Sequence, residues 1–181
     1  MSGESVWGSG EMVFSAPAAV AAEFSKNGIE FAVAFPDNQL RLEPDVGPTS
    51  LTQVVSFRVP LTVPANQQLT GYLQTMTIGV SRSPDVRVLV VADLAGTVKT
   101  IEFDYEASGG TPVEEPLTVV RFVSLQGVEQ AGAGAVGLIG PVAEYAATMS
   151  ITIQRRTLVG QGFVQIDGLD VDAILSTPPQ G

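Results

Sequence analysis

The chain has 181 residues, of which 45% are hydrophobic and 15% are charged. This length corresponds to one domain, and the low charge excludes an intrinsically disordered chain, because globular proteins average about 25% charged residues. Cysteine and histidine are both absent from the sequence. Their absence excludes disulfides, zinc fingers and every catalytic site that needs a thiolate or an imidazole.

The sequence carries nineteen acidic and nine basic residues, a formal charge of -10. A field of this sign repels phosphate groups, so neither nucleic acid nor an anionic membrane is predicted as a partner. No apolar run reaches the roughly 18 residues of a transmembrane helix. The opening residues MSGES lack the basic and apolar regions of a secretory signal. We therefore expect a cytoplasmic protein or a component of an assembled particle.

Three regions follow one another along the chain. Residues 1–12 form a glycine- and serine-rich arm, residues 13–175 a single domain, and residues 176–181 a tail. The domain begins with SAPAAVAAEFSK at 15–26, whose alanines and candidate N-cap serine favour a short helix. The alternative is a strand over 22–25 that forms a hairpin through Asn27 and Gly28.

Apolar and polar residues alternate through most of the remaining chain, as in half-buried β-strands. Pro60 cannot donate a ladder hydrogen bond, which predicts an edge position or a bulge. The alternation changes phase at Gly168, which predicts a β-bulge. The predicted strands cover 29–35, 55–63, 72–80, 86–92, 101–105, 117–125, 148–154 and 163–174. Short strands at this spacing predict an all-β fold, an antiparallel β-sandwich of the jelly-roll or Greek-key type.

Two segments of the sequence resemble each other. Residues 72–82 (YLQTMTIGVSR) and 145–155 (YAATMSITIQR) match at a constant offset, and a turn and an apolar strand follow each. A sandwich with pseudo-twofold halves would explain the likeness. The small set of residues that strands favour would explain it equally well.

Acidic residues form two groups. Asp167, Asp170 and Asp172 are candidate ligands for calcium, which prefers oxygen donors, and the alternative is a solvated strand face. Calcium is the one cofactor this sequence suggests. Residues 102, 104 and 106 are acidic and share a strand face, where we expect arginines of a neighbouring strand to pair with them. The candidates are Arg121, Arg155 and Arg156.

Two apolar features are candidate interaction sites. Trp7 lies in the arm, where it anchors into a neighbouring subunit, offers a stacking surface for a sugar, or pins the arm to its own domain. Residues 130–141 (QAGAGAVGLIGP) form an uncharged loop whose Val136, Leu138 and Ile139 would face a partner.

These observations favour a non-catalytic structural or interaction protein, a sandwich subunit that forms a homo-oligomer or docks on a larger assembly. The mean hydropathy of +0.28 supports this, because it suggests apolar surface buried between chains. The alternative is a carbohydrate-binding β-sandwich module, calcium-assisted, with a glycan as its partner. That alternative asks for an outward-facing aromatic ring among Tyr72, Tyr105 and Tyr145. An enzyme is not predicted, because no catalytic constellation can be assembled.

Overall fold

A computed structural model describes residues 4–14, 22–36, 39–106, 118–127 and 142–178. These residues form eleven β-strands and no helix, so none of them belongs to a helix able to cross a lipid bilayer. The strands are β1 Glu11–Phe14, β2 Glu23–Asn27, β3 Glu30–Ala34, β4 Gln39–Leu42, β5 Ser50–Thr62, β6 Gln68–Arg82, β7 Val86–Leu94, β8 Thr97–Phe103, β9 Thr118–Gly127, β10 Val142–Arg155 and β11 Gly162–Ser176.

The strands pair antiparallel in two sheets. The first sheet has the order β1-β5-β10-β7-β8, and the second has the order β2-β3-β11-β6-β9, with β4 also paired to β11. Neighbours such as β5 and β10, or β6 and β11, are far apart in sequence, and the chain crosses between sheets from β6 to β7 and from β10 to β11. The predicted antiparallel β-sandwich is confirmed, with crossing connections of the Greek-key kind.

The core lies between the sheets and follows from the period-two alternation, which turns every second side chain of a strand inward. Val55, Phe57 and Val59 of β5 are buried, as are Met149 and Ile151 of β10. Aromatic rings fill one region of this core at edge-to-face or stacked contact, and ring pairs of this kind stabilise cores beyond their buried area. They belong to Trp7, Phe31, Phe57, Tyr72 and Tyr145.

The predicted helix at 15–26 is wrong where the structure describes it. Residues 23–27 form β2, which pairs with β3 through a two-residue turn, as in the strand alternative. Phe24 stacks on Phe31 at 5.7 Å, so packing against the core outweighs the helical composition. Gly28 has a φ of 52° and supplies the left-handed conformation at the turn. Residues 15–21 lie outside the described residues.

Of the two local irregularities predicted from the sequence, the bulge is present, whereas the strand that holds Pro60 is neither an edge strand nor bulged. The pairing of β11 with β6 shifts register between Ile166 and Gly168, which is the predicted bulge. Strand β5 lies between β1 and β10, but β1 pairs only with residues 55–58. At Pro60 the carbonyl points to that uncovered side and accepts a hydrogen bond from Gly8 N at 2.7 Å. The missing N–H of Pro60 therefore falls at a local edge.

The two similar segments occupy equivalent places. Residues 72–82 belong to β6, inside one sheet, and residues 145–155 belong to β10, inside the other. Their first residues, Tyr72 and Tyr145, meet in the core with ring centroids 5.1 Å apart. Their last residues, Arg82 and Arg155, are both buried. The segments thus match in position as well as in sequence.

Candidate functional site

A shallow depression of about 240 Å³ lies at the solvent-facing side of the second sheet. We call it the hairpin depression, because most of its lining comes from the β2–β3 hairpin. Its lining residues are Ser25, Lys26, Asn27, Glu30, Phe31, Ala32, Asp170 and Asp172. It is a concave site with a mostly polar lining.

The strand pattern explains the composition of the hairpin depression. In β3, Phe31 and Val33 fill the core, so Glu30 and Ala32 point outward. The register places Asp170 opposite Ala32 and Asp172 opposite Glu30. Because Ala32 carries only a methyl group, the surface at Ala32 lies below the longer polar side chains around it and forms the bottom of the depression.

The carboxyl groups in the depression interact with one another. Burial raises the pKa of Asp172, and the neighbouring charges of Glu30 and Asp170 raise this pKa further. A hydrogen bond with Glu30 acts in the same direction. The Lys26 ammonium donates to the Trp7 carbonyl at 2.7 Å. The depression is thus rich in acceptors for hydroxyl or amine donors.

The structure does not bring together the three aspartates predicted as calcium ligands. Asp170 and Asp172 line the depression, but the bulge at Gly168 separates them from Asp167. The Asp167 carboxylate instead accepts a hydrogen bond from Gln165 Nε2 at 2.8 Å. Within the part of the chain that the structure describes, no three acidic side chains are grouped to hold a metal ion.

The prediction that Trp7 is an exposed anchor for a neighbouring subunit is wrong. Only 1% of the residue is exposed, and its ring packs edge-to-face on Phe31 at 4.6 Å. The indole Nε1 donates to the Ile29 carbonyl at 2.7 Å. Trp7 therefore pins the arm to its own domain. The other candidate interaction residues, Val136, Leu138 and Ile139, lie outside the described residues, so that prediction stays a prediction.

Arg82 and Arg87 pair with the acidic residues of β8 and the segment after it, in place of the predicted Arg155 and Arg156. The side chain of the third predicted arginine, Arg121, lies outside the described part of the chain. Arg87 Nε donates to Glu102 at 2.9 Å, and Arg82 Nη2 donates to Glu106 at 3.0 Å. The side chain of Arg155 is buried and donates to backbone carbonyls of two loops, 43–47 and 158–160. These acids are structural and form no second site.

Two of the three tyrosines do not provide an outward-facing ring, and the third, Tyr105, is half-buried. Tyr72 and Tyr145 are buried, which raises the pKa of both phenols, and the Tyr145 hydroxyl donates to Gln74 Oε1. Tyr105 lies beneath the Arg156 guanidinium at 4.6 Å. None of the three lines the hairpin depression.

Sequence reasoning identified Asp170 and Asp172 but missed Ser25, Asn27 and Glu30. The signal for these residues was the Asn27–Gly28 turn, which makes a hairpin of the flanking residues. The pairing of β3 with β11 joins residues more than a hundred positions apart. No local pattern reports such a pairing.

Comparison with known proteins gave matches among solved structures only, since neither a family model nor a curated protein matches this chain. A family 61 carbohydrate-binding module, TmCBM61, in complex with β-1,4-galactotriose has a TM-score of 0.32 and 10% identity, covering 80% of this chain and 71% of that one. The family 11 module from Clostridium thermocellum in complex with a β-1,3-1,4-mixed-linked tetrasaccharide has a TM-score of 0.19 and 10% identity, covering 94% and 90%. The family 11 module of the cellulase Lic26A-Cel5E from Clostridium thermocellum has a TM-score of 0.21 and 11% identity, covering 95% and 90%.

At this identity the likeness concerns the fold alone. These three structures are carbohydrate-binding modules and not assembly subunits, which contradicts the prediction of a structural or interaction protein. The burial of Trp7 removes one of the observations on which that prediction depended.

Proposed function

We propose that this chain is a non-catalytic carbohydrate-binding module whose hairpin depression binds a short segment of a glycan. The observation that carries the proposal is the lining of the depression, where a hydroxyl, an amide and three carboxyl groups face solvent together. Sugar hydroxyls donate and accept hydrogen bonds at every position of the ring. Carboxylates are strong acceptors for such donors, and Ser25 and Asn27 supply both donors and acceptors.

The shape of the depression supports a segment of a chain as the ligand. Its volume of about 240 Å³ is below the roughly 300–1,000 Å³ of pockets that enclose a whole small molecule. A glycan would lie across the depression and remain largely exposed. With no tyrosine ring beneath the sugar, the free energy comes from hydrogen bonds, so we expect weak binding with a Kd of about 1 mM.

The same carboxyl groups do not suit glycoside hydrolysis. Retaining glycosidases hold their two carboxyl groups about 5 Å apart, with the scissile bond between them, and inverting ones hold them further apart. Glu30 and Asp172 are instead cross-strand neighbours joined by a hydrogen bond. Two carboxyl groups that hydrogen-bond each other lie closer than either spacing, which supports binding without catalysis.

Affinity electrophoresis and titration calorimetry with neutral polysaccharides test the proposal. A β-1,4-galactan and a β-1,3-1,4-mixed-linked glucan are the first probes, because the matched modules are bound to fragments of these types. We expect one or more neutral glycans to bind. Asp170→Ala and Asp172→Ala should each weaken that binding about tenfold, because a hydrogen bond to a charged group contributes about 1.5–3 kcal/mol.

The matched control is Glu144→Ala. Glu144 is an exposed acid on the solvent face of the other sheet, 3.7 Å from Arg58. Its loss should leave glycan binding unchanged. Failure of all neutral glycans to bind would refute the proposal, and so would equal losses in the control and the two aspartate variants.

A further inference from the structure

The N-terminal segment crosses from one sheet to the other and holds the turn of the β2–β3 hairpin. We call residues 5–8 the strap. The Gly28 carbonyl accepts hydrogen bonds from Val6 N at 3.0 Å and from Ser5 Oγ at 3.2 Å. The next carbonyl, of Ile29, accepts the hydrogen bond from Trp7 Nε1 at 2.7 Å. Both residues of the turn are therefore fixed by the strap.

The strap is itself attached to the opposite sheet. Thr62 N of β5 donates to the Val6 carbonyl at 2.8 Å, and Gly8 N donates to the Pro60 carbonyl at 2.7 Å. Between these two bonds Trp7 forms a backbone bridge with Leu61. Hydrogen bonds on both sides of the strap thus connect β5 to the hairpin turn.

The hairpin depends on outside support. Strand β2 has five residues and pairs with β3, at the margin of the second sheet. A two-stranded hairpin of this length is marginal in water without further packing. Besides the strap, Ala173 N of β11 donates to the Ile29 carbonyl at 2.9 Å. The turn lies directly between Asn27 and Glu30, both of which line the depression.

We propose that Trp7 is a positioning residue of the hairpin depression. The indole bond and the strap fix the turn, so that Asn27 and Glu30 are held in one cross-strand row with Asp172. The effect of Trp7 on glycan binding rests on the proposed function. The hold on the turn is a property of the chain alone and is measured without a ligand.

Hydrogen exchange of the full chain tests this hold with Trp7→Phe, which keeps an aromatic ring in the core and removes the Nε1 donor. Amides of residues 24–32 should exchange about fivefold faster, the change expected for loss of one buried hydrogen bond. Amides of β7 and β10 should keep their rates. The matched control is Ile151→Val, a buried substitution in the other sheet, which should not change the exchange of the hairpin selectively.

A second variant keeps the test decisive if Trp7→Phe does not fold. Ser5→Ala removes the Oγ bond to the Gly28 carbonyl and the bond that Ser5 Oγ accepts from Trp7 N at 3.2 Å, and it keeps the indole bond to Ile29. It should accelerate the same amides by a smaller factor. Wild-type exchange of the hairpin in the folded variants, or equal acceleration of both sheets, would overturn the proposal.

Glycan binding separates this inference from the proposed function. Trp7→Phe should weaken binding about fivefold while Ile151→Val leaves it unchanged. If no glycan binds to the wild-type chain, the proposed function fails, and selective exchange of the hairpin still establishes the strap. If a glycan binds with equal affinity to wild type and Trp7→Phe, the positioning role is wrong while the proposed function stands.

Discussion

The ionised Asp172 carboxylate lowers the free energy of unfolding, because of its place in the hairpin depression. Its pKa is raised by burial and by the charges of Glu30 and Asp170, so the folded state binds this proton more tightly than the unfolded state does. The cost is therefore absent below the ordinary carboxyl pKa of about 3.9. It develops as pH rises and is complete once the pH exceeds the raised pKa.

Asp172→Asn should raise the free energy of unfolding by about 0.5 kcal/mol at pH 7, the size of a cross-strand like-charge pair. At pH 3 the gain should vanish, because the carboxyl group is then protonated in both states. Urea unfolding at the two pH values measures this. Glu144→Gln, which removes a charge 3.7 Å from Arg58, should give no gain at pH 7. A gain of equal size at both pH values would show that charge is not the cause.

At the scale of a single element, the bulge in β11 decides which residues reach the depression. Gly168 absorbs one residue of register, so that Asp170 and Asp172 face outward while Leu169 and Val171 fill the core. A Cβ at Gly168 would lie 2.9 Å from the Val33 carbonyl oxygen. That atom belongs to the backbone of β3 and cannot move aside without moving the hairpin.

Gly168→Ala should therefore lower the free energy of unfolding by about 2 kcal/mol, within the range of strained backbone contacts. Chemical denaturation measures the change. The matched control is Gly10→Ala, whose Cβ would meet the Phe24 ring at an ordinary 3.4 Å. The control should stay within about 0.5 kcal/mol of wild type. Equal effects at the two glycines would contradict the close approach at β3.

Some features of these strands could be predicted from the sequence, and others could not. Alternation predicted the long strands because one face of each is buried, and the phase change at Gly168 predicted the bulge. The helix prediction failed at 23–26 because composition carries no information on the packing of Phe24 against Phe31. The period-two alternation correctly predicted that Asp170 and Asp172 lie on one face of their strand, β11. Their partner Glu30 depends on a long-range strand pairing, which the sequence does not display.

At the scale of the whole molecule, the two sheets are joined through their centres and through the strap. Tyr72 and Tyr145 meet in the core from equivalent positions of β6 and β10. The Trp7 ring lies 6.1 and 6.2 Å from these two rings and bonds the hairpin turn through Nε1. The aromatic core and the outer depression are therefore parts of one connected structure. The aromatic rings of this chain contact one another between the two sheets and so help to hold the sheets together.

Under the proposed function, the net charge of the chain determines which glycans bind at the hairpin depression. The formal charge is -10, and three carboxyl groups line the site itself. A neutral glycan is not repelled there, whereas the same glycan oxidised at C6 to a polyuronate is repelled.

We expect the polyuronate to bind at least tenfold more weakly than its neutral parent at about 10 mM salt, where the Debye length is about 30 Å. At about 150 mM salt, with a Debye length near 8 Å, the difference should narrow. Calorimetry with the matched pair at both salt concentrations measures this, and tighter binding of the polyuronate would contradict binding at the hairpin depression.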